Sequence, residues 1–540
     1  MIPKKNGALN MTQLTANAPQ WGREVERVHV DSVPYLAYRQ RPRSVADFLA
    51  TARQWNQREY LVQDDRRFTV AEHEAAVARV ARYLEERGVG PGSKVVLLGF
   101  NSIEWVVGFW AVQALGAVAV LCNAWWSDDE AESAIRQVEP ALVITHRATT
   151  WPSAGFDTLR TFVDDIGAEA ELPQWPRDEN ALAIIMFSSG TTGAPKGVLM
   201  PHRSVIANIQ NLLTLTGRLP NELTAEHQGT VSLLSVPLFH LAGVQVCLTN
   251  LLCGGKLVFL PGKFDPDQVL TLIETERVKA WGSIPTMVTR VLDHPDFTRY
   301  DTTSVTSVPM GGAAISAQLR ERVAQSFTGV KSRVGSLYGL TEAGGVLAAG
   351  SGKDVAGKPG CVGRALPVVE LKISNPDADG IGEVMARTPT VSDGYLGEST
   401  AITDAGGWLS TGDLGRLDAD GLLFITGRSK DIIIRGGENI SCVHVEDALA
   451  THPAVLEVAV VALPHEDLGE QVGAAFVLRP GMHAAPTELA AHAATRLGRY
   501  EIPTCWWNHT GPLPTNATGK ILRKEVRDEW LKHGIRDRIG

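Results

Sequence analysis

Apolar and polar positions along the chain follow two periods. Around residue 70 the spacing is helical. Thr69 and Glu72 make a capping box, Val77, Val80, Ala81 and Leu84 share one face, and Gly88 closes the helix. A continuous apolar run over 95–98 predicts a buried strand, and similar runs recur at 141–145, 231–236 and 256–260. Residues 105–122 are apolar enough to mimic a membrane span, but they include Gln113 and are split by Gly116. A span needs about 20 clean residues. The stretch is therefore expected to be a buried helix to Leu115, a glycine cap and a strand over 117–121.

Further along, the elements shorten. Strands are expected at 368–373, 382–387, 414–417 and 422–426, with a hairpin turn at 418–421. Residues 377–380 read Asp-Ala-Asp-Gly as well. They resemble part of a calcium loop but lack its twelve-residue ligand spacing, so a turn is expected. After Gly427 the pattern restarts. A helix is expected at 443–451, strands at 455–463 and 474–478, and a helix at 487–497 ended by Gly498. The fold class that follows is α/β: a large N-terminal domain of helix-covered sheets with a small β-barrel-like subdomain, then a small mobile C-terminal α/β domain. The boundaries are 1–427, a short charged hinge at 428–431, and 432–540.

A chain of 540 residues exceeds one domain, and 44% hydrophobic with 21% charged residues suits a globular protein. The net charge of −9, without a long basic run, disfavours a general nucleic-acid binder. Cys122, Cys247, Cys253, Cys361, Cys442 and Cys505 are scattered, with no Cys-x-x-Cys pair, so buried free thiols in a reducing compartment are expected. Residues 1–20 lack the apolar core of a signal peptide, and Met11 offers an alternative start. A cytoplasmic protein without integral membrane association is expected.

The strongest chemical signal is residues 186–198. An apolar strand runs into Ser188, Ser189, Gly190, Thr191, Thr192 and Gly193, then Lys196. Glycines let backbone N–H groups close on an anion, hydroxyls add donors and one ammonium adds charge. This is a polyphosphate cradle, yet not the common phosphate loop, because Gly197 and a second apolar run follow Lys196 instead of a helix. Four further segments carry complementary groups. Residues 338–342 join Tyr338, Thr341 and Glu342, an aromatic face, a hydroxyl and a carboxylate for a hard cation. Asp413 sits in a tight turn and can accept from two ribose hydroxyls. Arg428 precedes an Ile run and the Gly436–Gly437 pair. Near the end, Lys520 stands at the tip of a Gly/Thr loop.

Taken in this order, these segments resemble the acyl- and aryl-CoA synthetases of the adenylate-forming superfamily, which includes firefly-type luciferases and the adenylation domains of peptide synthetases. The likeness covers about residues 44–530. It implies that a carboxylic acid attacks the α-phosphate of ATP to give acyl-adenylate and pyrophosphate, and that the thiol of CoA then displaces AMP. It also implies roles. Residues 188–196 would hold the β- and γ-phosphates, Thr341 the α-phosphate and Glu342 Mg²⁺. Tyr338 would stack on adenine with Gly311, Gly312, Ala313 and Ala314 on its other side. Asp413 would bind ribose with Arg428 nearby, and Lys520 would bridge the acid and the phosphate. Lys430 is the hinge position, whose swing would withdraw Lys520 and bring Gly436 and Gly437 towards the pantetheine channel. His240 matches a position beside the acyl tunnel, where a packed core histidine is the alternative.

The implied co-substrates are ATP, CoA and a small-molecule carboxylic acid. Small residues near the expected acyl pocket (Gly311, Gly312, Gly335, Gly339, Gly344 and Gly345) and the lack of an obvious basic partner favour a fatty or other bulky hydrophobic acid, with an aryl acid second. A separate carrier protein in place of CoA stays open. A non-enzymatic nucleotide sensor is disfavoured by the intact Lys196, Glu342, Asp413, Arg428 and Lys520. Many such relatives are dimers, but no heptad seam is readable.

Overall fold

The computed structural model describes residues 20–30, 32–165, 170–188, 195–311, 315, 317–330, 334–436, 438–516 and 519–534, with only the backbone described for Ala317, Lys430 and Asn439. The first large sheet has six strands in the order 196–201, 182–188, 118–122, 94–98, 142–145, 153–154. All its pairs are parallel except the first. Helices Val70–Glu85 and Ile103–Ala114 pack with it into the largest apolar cluster.

Local signals explain these elements. Thr69 and Glu72 form the capping box that the spacing predicts, a cap worth about 1 kcal/mol. Every residue of helix Ile103–Ala114 is buried, which accounts for a helix that is apolar all round. Gly116 then takes φ +64°, a left-handed turn that glycine adopts without strain, and strand Val118–Cys122 follows. Among the described residues no helix is long and apolar enough to cross a membrane. All six cysteines are free and buried.

A four-stranded sheet (231–234, 256–259, 59–63, 66–69) lies beside the first. The short strands of the middle region form one eight-stranded sheet in the order 310–311, 336–340, 345–350, 361–365, 422–428, 409–417, 382–387, 370–374. The strand expected at 368–373 begins two residues later, as Glu370–Ser374, because Val368 and Val369 are buried in the preceding turn. Both Asp-Ala-Asp-Gly segments are turns, in which Asp377 and Asp418 accept backbone N–H groups from two and four residues on.

The last part has its own sheet, built from 432–435, 438–441, 455–465, 469–478 and 505–508, and its own apolar clusters. Helix Pro486–Ala494 stops before Gly498, at Thr495 and Arg496, whose N–H groups turn back onto His492 and Ala493.

Candidate active site

The Ser/Gly/Lys segment joins two antiparallel strands. Leu182–Ser188 and Lys196–Pro201 pair antiparallel at the sheet edge, with Lys196 opposite Ser188 and a register shift at Met200–Pro201, so the second apolar run is a strand as the sequence implies. Ser189, Gly190, Thr191, Thr192 and Gly193 lie outside the described residues. Lys196 Nζ pairs with Glu398 Oε1 at 2.8 Å and lies 4.9 Å from the centroid of the Tyr395 ring.

Tyr395 also links this loop to the next segment, because its hydroxyl donates to Glu342 Oε1 at 3.1 Å. Burial first, then the adjacent Glu342 carboxylate, raises the Tyr395 pKa, so the phenol keeps its proton and remains a donor. Glu342 follows strand Ser336–Leu340 in a tight turn with Thr341. The Glu342 carbonyl accepts from Ser392 N at 3.0 Å, and the Ala343 carbonyl accepts from Thr390 Oγ1 at 2.6 Å. Gly344, at φ +66°, lets the chain pass so close that a Cβ would meet Thr390 O at 1.7 Å. Mg²⁺ favours oxygen ligands, with one or two carboxylates beside substrate phosphates and water. Glu342 offers one carboxylate, and among the described residues no group of three or more His, Cys, Asp or Glu side chains could hold a metal. That donor set fits an ion carried on a nucleotide.

A second knot is tighter. Tyr338 Oη donates to Asp413 Oδ2 at 2.7 Å, and Arg428 Nε donates to Asp413 Oδ1 at 2.9 Å. Asp413 is 4% exposed, and its N–H donates to Thr411 Oγ1. The neighbouring strand 310–311 pairs with 336–340, setting Gly311 opposite Leu337, beside Tyr338. Gly312, Ala313 and Ala314 lie outside the described residues.

Lys520 belongs to the last part of the chain, and its loop touches the large part. Gly519 O accepts from Thr286 Oγ1 at 3.1 Å, at the start of helix Pro285–Leu292 in the large part. Lys520 N donates to Asn516 Oδ1, and a Thr515–Ile521 bridge closes the loop. Burial, then Arg428 and Arg523, push the Lys520 pKa down to about 8 against the opposing pull of Asp431 and Asp413. The structure thus joins Tyr338, Asp413 and Arg428 by hydrogen bonds, sets Lys520 within reach of the Asp413 and Arg428 charges, and separately links Lys196 and Glu342 through Tyr395. Gly436, at φ +59°, is exposed, and its N–H bonds Leu468 O. Gly437 and the Lys430 side chain lie outside the described residues.

His240 caps helix Leu241–Leu252 through its backbone. Asn101 pins the preceding turn by bonding both Val236 O and Leu238 N. The His240 ring packs on Phe239, its Nε2 is buried without a partner among the described residues, and burial lowers its pKa to about 4. The imidazole is neutral at ordinary pH.

Three of the glycines expected to leave pocket room do not. A Cβ on Gly339 would meet Gly345 O at 2.1 Å, one on Gly345 would meet Asn208 Oδ1 at 2.2 Å, and Gly344 abuts Thr390. The first and third are close approaches of backbone to backbone and the second of backbone to the Asn208 side chain; a Cβ on Gly311 would sit 3.1 Å from Leu337 O, and among the described residues of this group Gly335, whose nearest neighbour is 3.7 Å away, keeps ordinary space. Tyr395, Glu398, Thr286 and Arg523 belong to the site region and escaped the sequence reading. The Asp-Gly-Tyr turn at 393–395 was the one local signal available.

Residues 48–396 match the family model described as AMP-binding enzyme, and residues 444–520 match that described as AMP-binding enzyme C-terminal domain. The chain is 33% identical over 471 residues to feruloyl-CoA synthase of Amycolatopsis sp, covering 85% of this chain and 93% of that protein. It is 32% identical over 490 residues to the long-chain-fatty-acid–CoA ligase FadD13 of Mycobacterium tuberculosis, covering 86% and 94%. Among solved structures it resembles o-succinylbenzoate CoA synthetase of Bacillus subtilis. The complex with an acyl-adenylate intermediate gives a TM-score of 0.77 at 27% identity, covering 91% and 99%. The complex with ATP and magnesium ion gives 0.75 at 28%, covering 89% and 99%.

Proposed function

The chain belongs to the family of AMP-binding enzymes, and on that premise we propose that it is an acyl-CoA synthetase for a hydrophobic carboxylic acid. The observation that carries this reading is that Lys520 comes within reach of the charges of Asp413 and Arg428, the pair that also holds the Tyr338 hydroxyl. The Lys520 ammonium, from the C-terminal matched region, feels the charges of Asp413 and Arg428, and Asp413 in turn holds the hydroxyl of Tyr338 from the N-terminal one, the groups needed around one nucleotide. The division of labour is a large domain to residue 427, a hinge at 428–431 and a small domain from 432.

In the first step a carboxylate oxygen of the acid attacks the α-phosphorus, the bond to the bridging oxygen breaks and pyrophosphate leaves. Ser188 and the loop to Lys196 hold the departing phosphates, and Thr341 touches the α-phosphate. Tyr338 stacks on adenine beside Gly311, and Asp413 accepts from the ribose hydroxyls. Lys520 lies between the acid and the phosphate, where charge gathers in the transition state. Glu342 would hold Mg²⁺, which would offset phosphate charge. In the second step the CoA sulfur attacks the acyl carbon and AMP leaves with the bonding pair, while the thiol proton passes to solvent. A turn about residues 428–431 withdraws Lys520 and presents Gly436 and Gly437 to the pantetheine arm.

Support for a hydrophobic acid comes from the neutral, buried His240 against Phe239 and from the apolar helix that follows it. An aryl acid is the second reading, favoured by the similarity to feruloyl-CoA synthase. The test is pyrophosphate release with ATP, CoA and a panel of octanoic, palmitic, ferulic and cholic acids, followed by mass analysis of the thioester. A thioester with an apolar acid supports the reading. Adenylation without transfer to CoA favours a carrier-protein acceptor, and no ATP cleavage with any acid overturns the reading.

A further inference from the structure

Arg523 lies three residues beyond Lys520, at the start of helix Arg523–His533. Its Nη1 donates to Asp431 Oδ2 at 2.7 Å, while Nε and Nη2 donate to Glu446 Oε1 and Oε2 at 2.8 and 2.5 Å. The pairing is a two-point fork on Glu446 plus a third bond to Asp431, geometry that a guanidinium supplies and an ammonium does not. All three side chains are largely buried, and Glu446 Oε1 also accepts from Val460 N, so the group is fixed to the small sheet.

Asp431 is the last residue of the turn Ser429–Asp431, whose first residue bonds Gly412 O, beside Asp413. The turn therefore holds the large part through Ser429 and the small part through Asp431. The Asp431 charge also acts on Lys520, as do those of Asp413, Arg428 and Arg523. Yet among the described residues no carboxylate lies within 4.0 Å of the Lys520 ammonium. A hinge carboxylate with no other partner would be the natural mate of that lysine.

We propose that Arg523 is a positioning residue for Lys520: by occupying Asp431 and Glu446 it keeps the hinge carboxylate off the ammonium, which stays available for the acid and the α-phosphate. The importance of Lys520 here rests on the function proposed above. The occupation of Asp431 does not.

The experiment measures the reactivity of Lys520 towards acetic anhydride, by competitive labelling and mass spectrometry over pH 6–11, in the full chain without substrates. Wild type, R523Q, R523K, D431N and R523Q/D431N are compared, each first shown to melt cooperatively. R523Q should lower labelling at pH 8 about five-fold, corresponding to a rise of about one unit in the Lys520 titration from about 8. R523Q/D431N should return to within about two-fold of wild type. R523K keeps a cation against Glu446 but cannot bridge both carboxylates, so it should fall between wild type and R523Q. It also carries the test if R523Q does not fold. With any acid that wild type adenylates, R523Q should slow pyrophosphate release about ten-fold or more. Thioester formation from supplied acyl-adenylate should stay within about three-fold, and the D431N change should rescue the first step. Unchanged labelling in both Arg523 variants, or labelling that stays low in the double variant, overturns the proposal. Labelling needs neither acid nor turnover, so its outcome is independent of whether the chain activates an acyl group.

Discussion

The hydroxyl of Tyr338 donates to the Asp413 carboxylate at 2.7 Å although the residues are 75 apart in sequence. The expected adenine platform and the expected ribose acceptor are thus one unit, with Arg428 on the other carboxylate oxygen. Burial raises the Tyr338 pKa, with the Asp413 charge adding to it, so the phenol donates throughout the working pH range. Tyr338→Phe keeps the ring and deletes the donor, leaving a nearly buried carboxylate short of one partner. A loss of about 1–3 kcal/mol in unfolding free energy is expected. ATP should bind several-fold more weakly, while the acid KM changes little. Urea denaturation and ATP titration check both, and an unchanged ATP affinity would show that the contact is only structural.

Much of the scaffold was legible because its signals are local. The capping box at Thr69, the glycine after Leu115 and the two apolar runs flanking the Ser/Gly/Lys loop each act within a few residues, so spacing reveals them. The partners of the site residues were not legible. Lys196 meets Glu398 across 202 positions and Arg523 meets Asp431 across 92, and no periodicity encodes such pairings. Gly339, Gly344 and Gly345 were read as pocket space, whereas the chain needs them for backbone passing against backbone or against Asn208. Glycine composition alone does not separate the two uses.

Tyr395 contacts both the loop lysine and the Glu342 carboxylate. Tyr395→Phe retains the ring beneath Lys196 but frees Glu342. The Mg²⁺ concentration giving half-maximal ATP binding should rise about three- to ten-fold, with the melting temperature nearly unchanged. Calorimetric titration of ATP at several Mg²⁺ concentrations reads this directly. An unaltered Mg²⁺ dependence would separate Tyr395 from the carboxylate's role.

The Lys196–Glu398 pair is more than one third exposed on both sides, so it adds little stability, about 0–1 kcal/mol. Glu398 nevertheless competes with a polyphosphate for the same ammonium. Glu398→Gln should therefore leave the melting temperature within about 1–2 °C and tighten ATP binding a few-fold, most clearly at low ionic strength. Weaker ATP binding in this variant would mean that Glu398 helps to orient Lys196.

Lys520 titrates at about 8, well below an ordinary lysine, mainly through burial. Adenylation that uses the ammonium should hold below pH 8 and fall as pH rises through it. The linkage runs the other way. The unfolded chain binds this proton more tightly, so folding is penalised below pH 8 and the penalty fades between 8 and 10.5. Lys520→Met should thus raise the melting temperature at pH 7, lose that advantage above pH 10.5, and lower adenylation by orders of magnitude while sparing thioester formation from supplied acyl-adenylate. A variant less stable than wild type at pH 7 would contradict the burial argument.

His73 tests the same logic away from the site. Its ring lies edge-on to Tyr60 at 5.1 Å and to Trp110 at 6.4 Å, neither nitrogen has a hydrogen-bond partner among the described residues, and burial lowers its pKa to about 3. With the folded value depressed, the unfolded chain takes the proton first. Stability is intact above about 6.5 and declines as pH falls towards 3, by at most about 1.4 kcal/mol per pH unit for this one group. His73→Leu removes two buried polar atoms that gain nothing in the fold, so stability at pH 7 should hold or rise. The decline between pH 6 and 4 should become shallower. His202 and His240, both lowered to about 4, keep their share of that decline. His202→Leu should differ, because His202 Nδ1 accepts from Val45 N at 3.1 Å and its loss orphans a buried donor. Urea denaturation of both variants from pH 4 to 7 separates the cases, and an acid slope in His73→Leu equal to that of wild type would place the proton elsewhere.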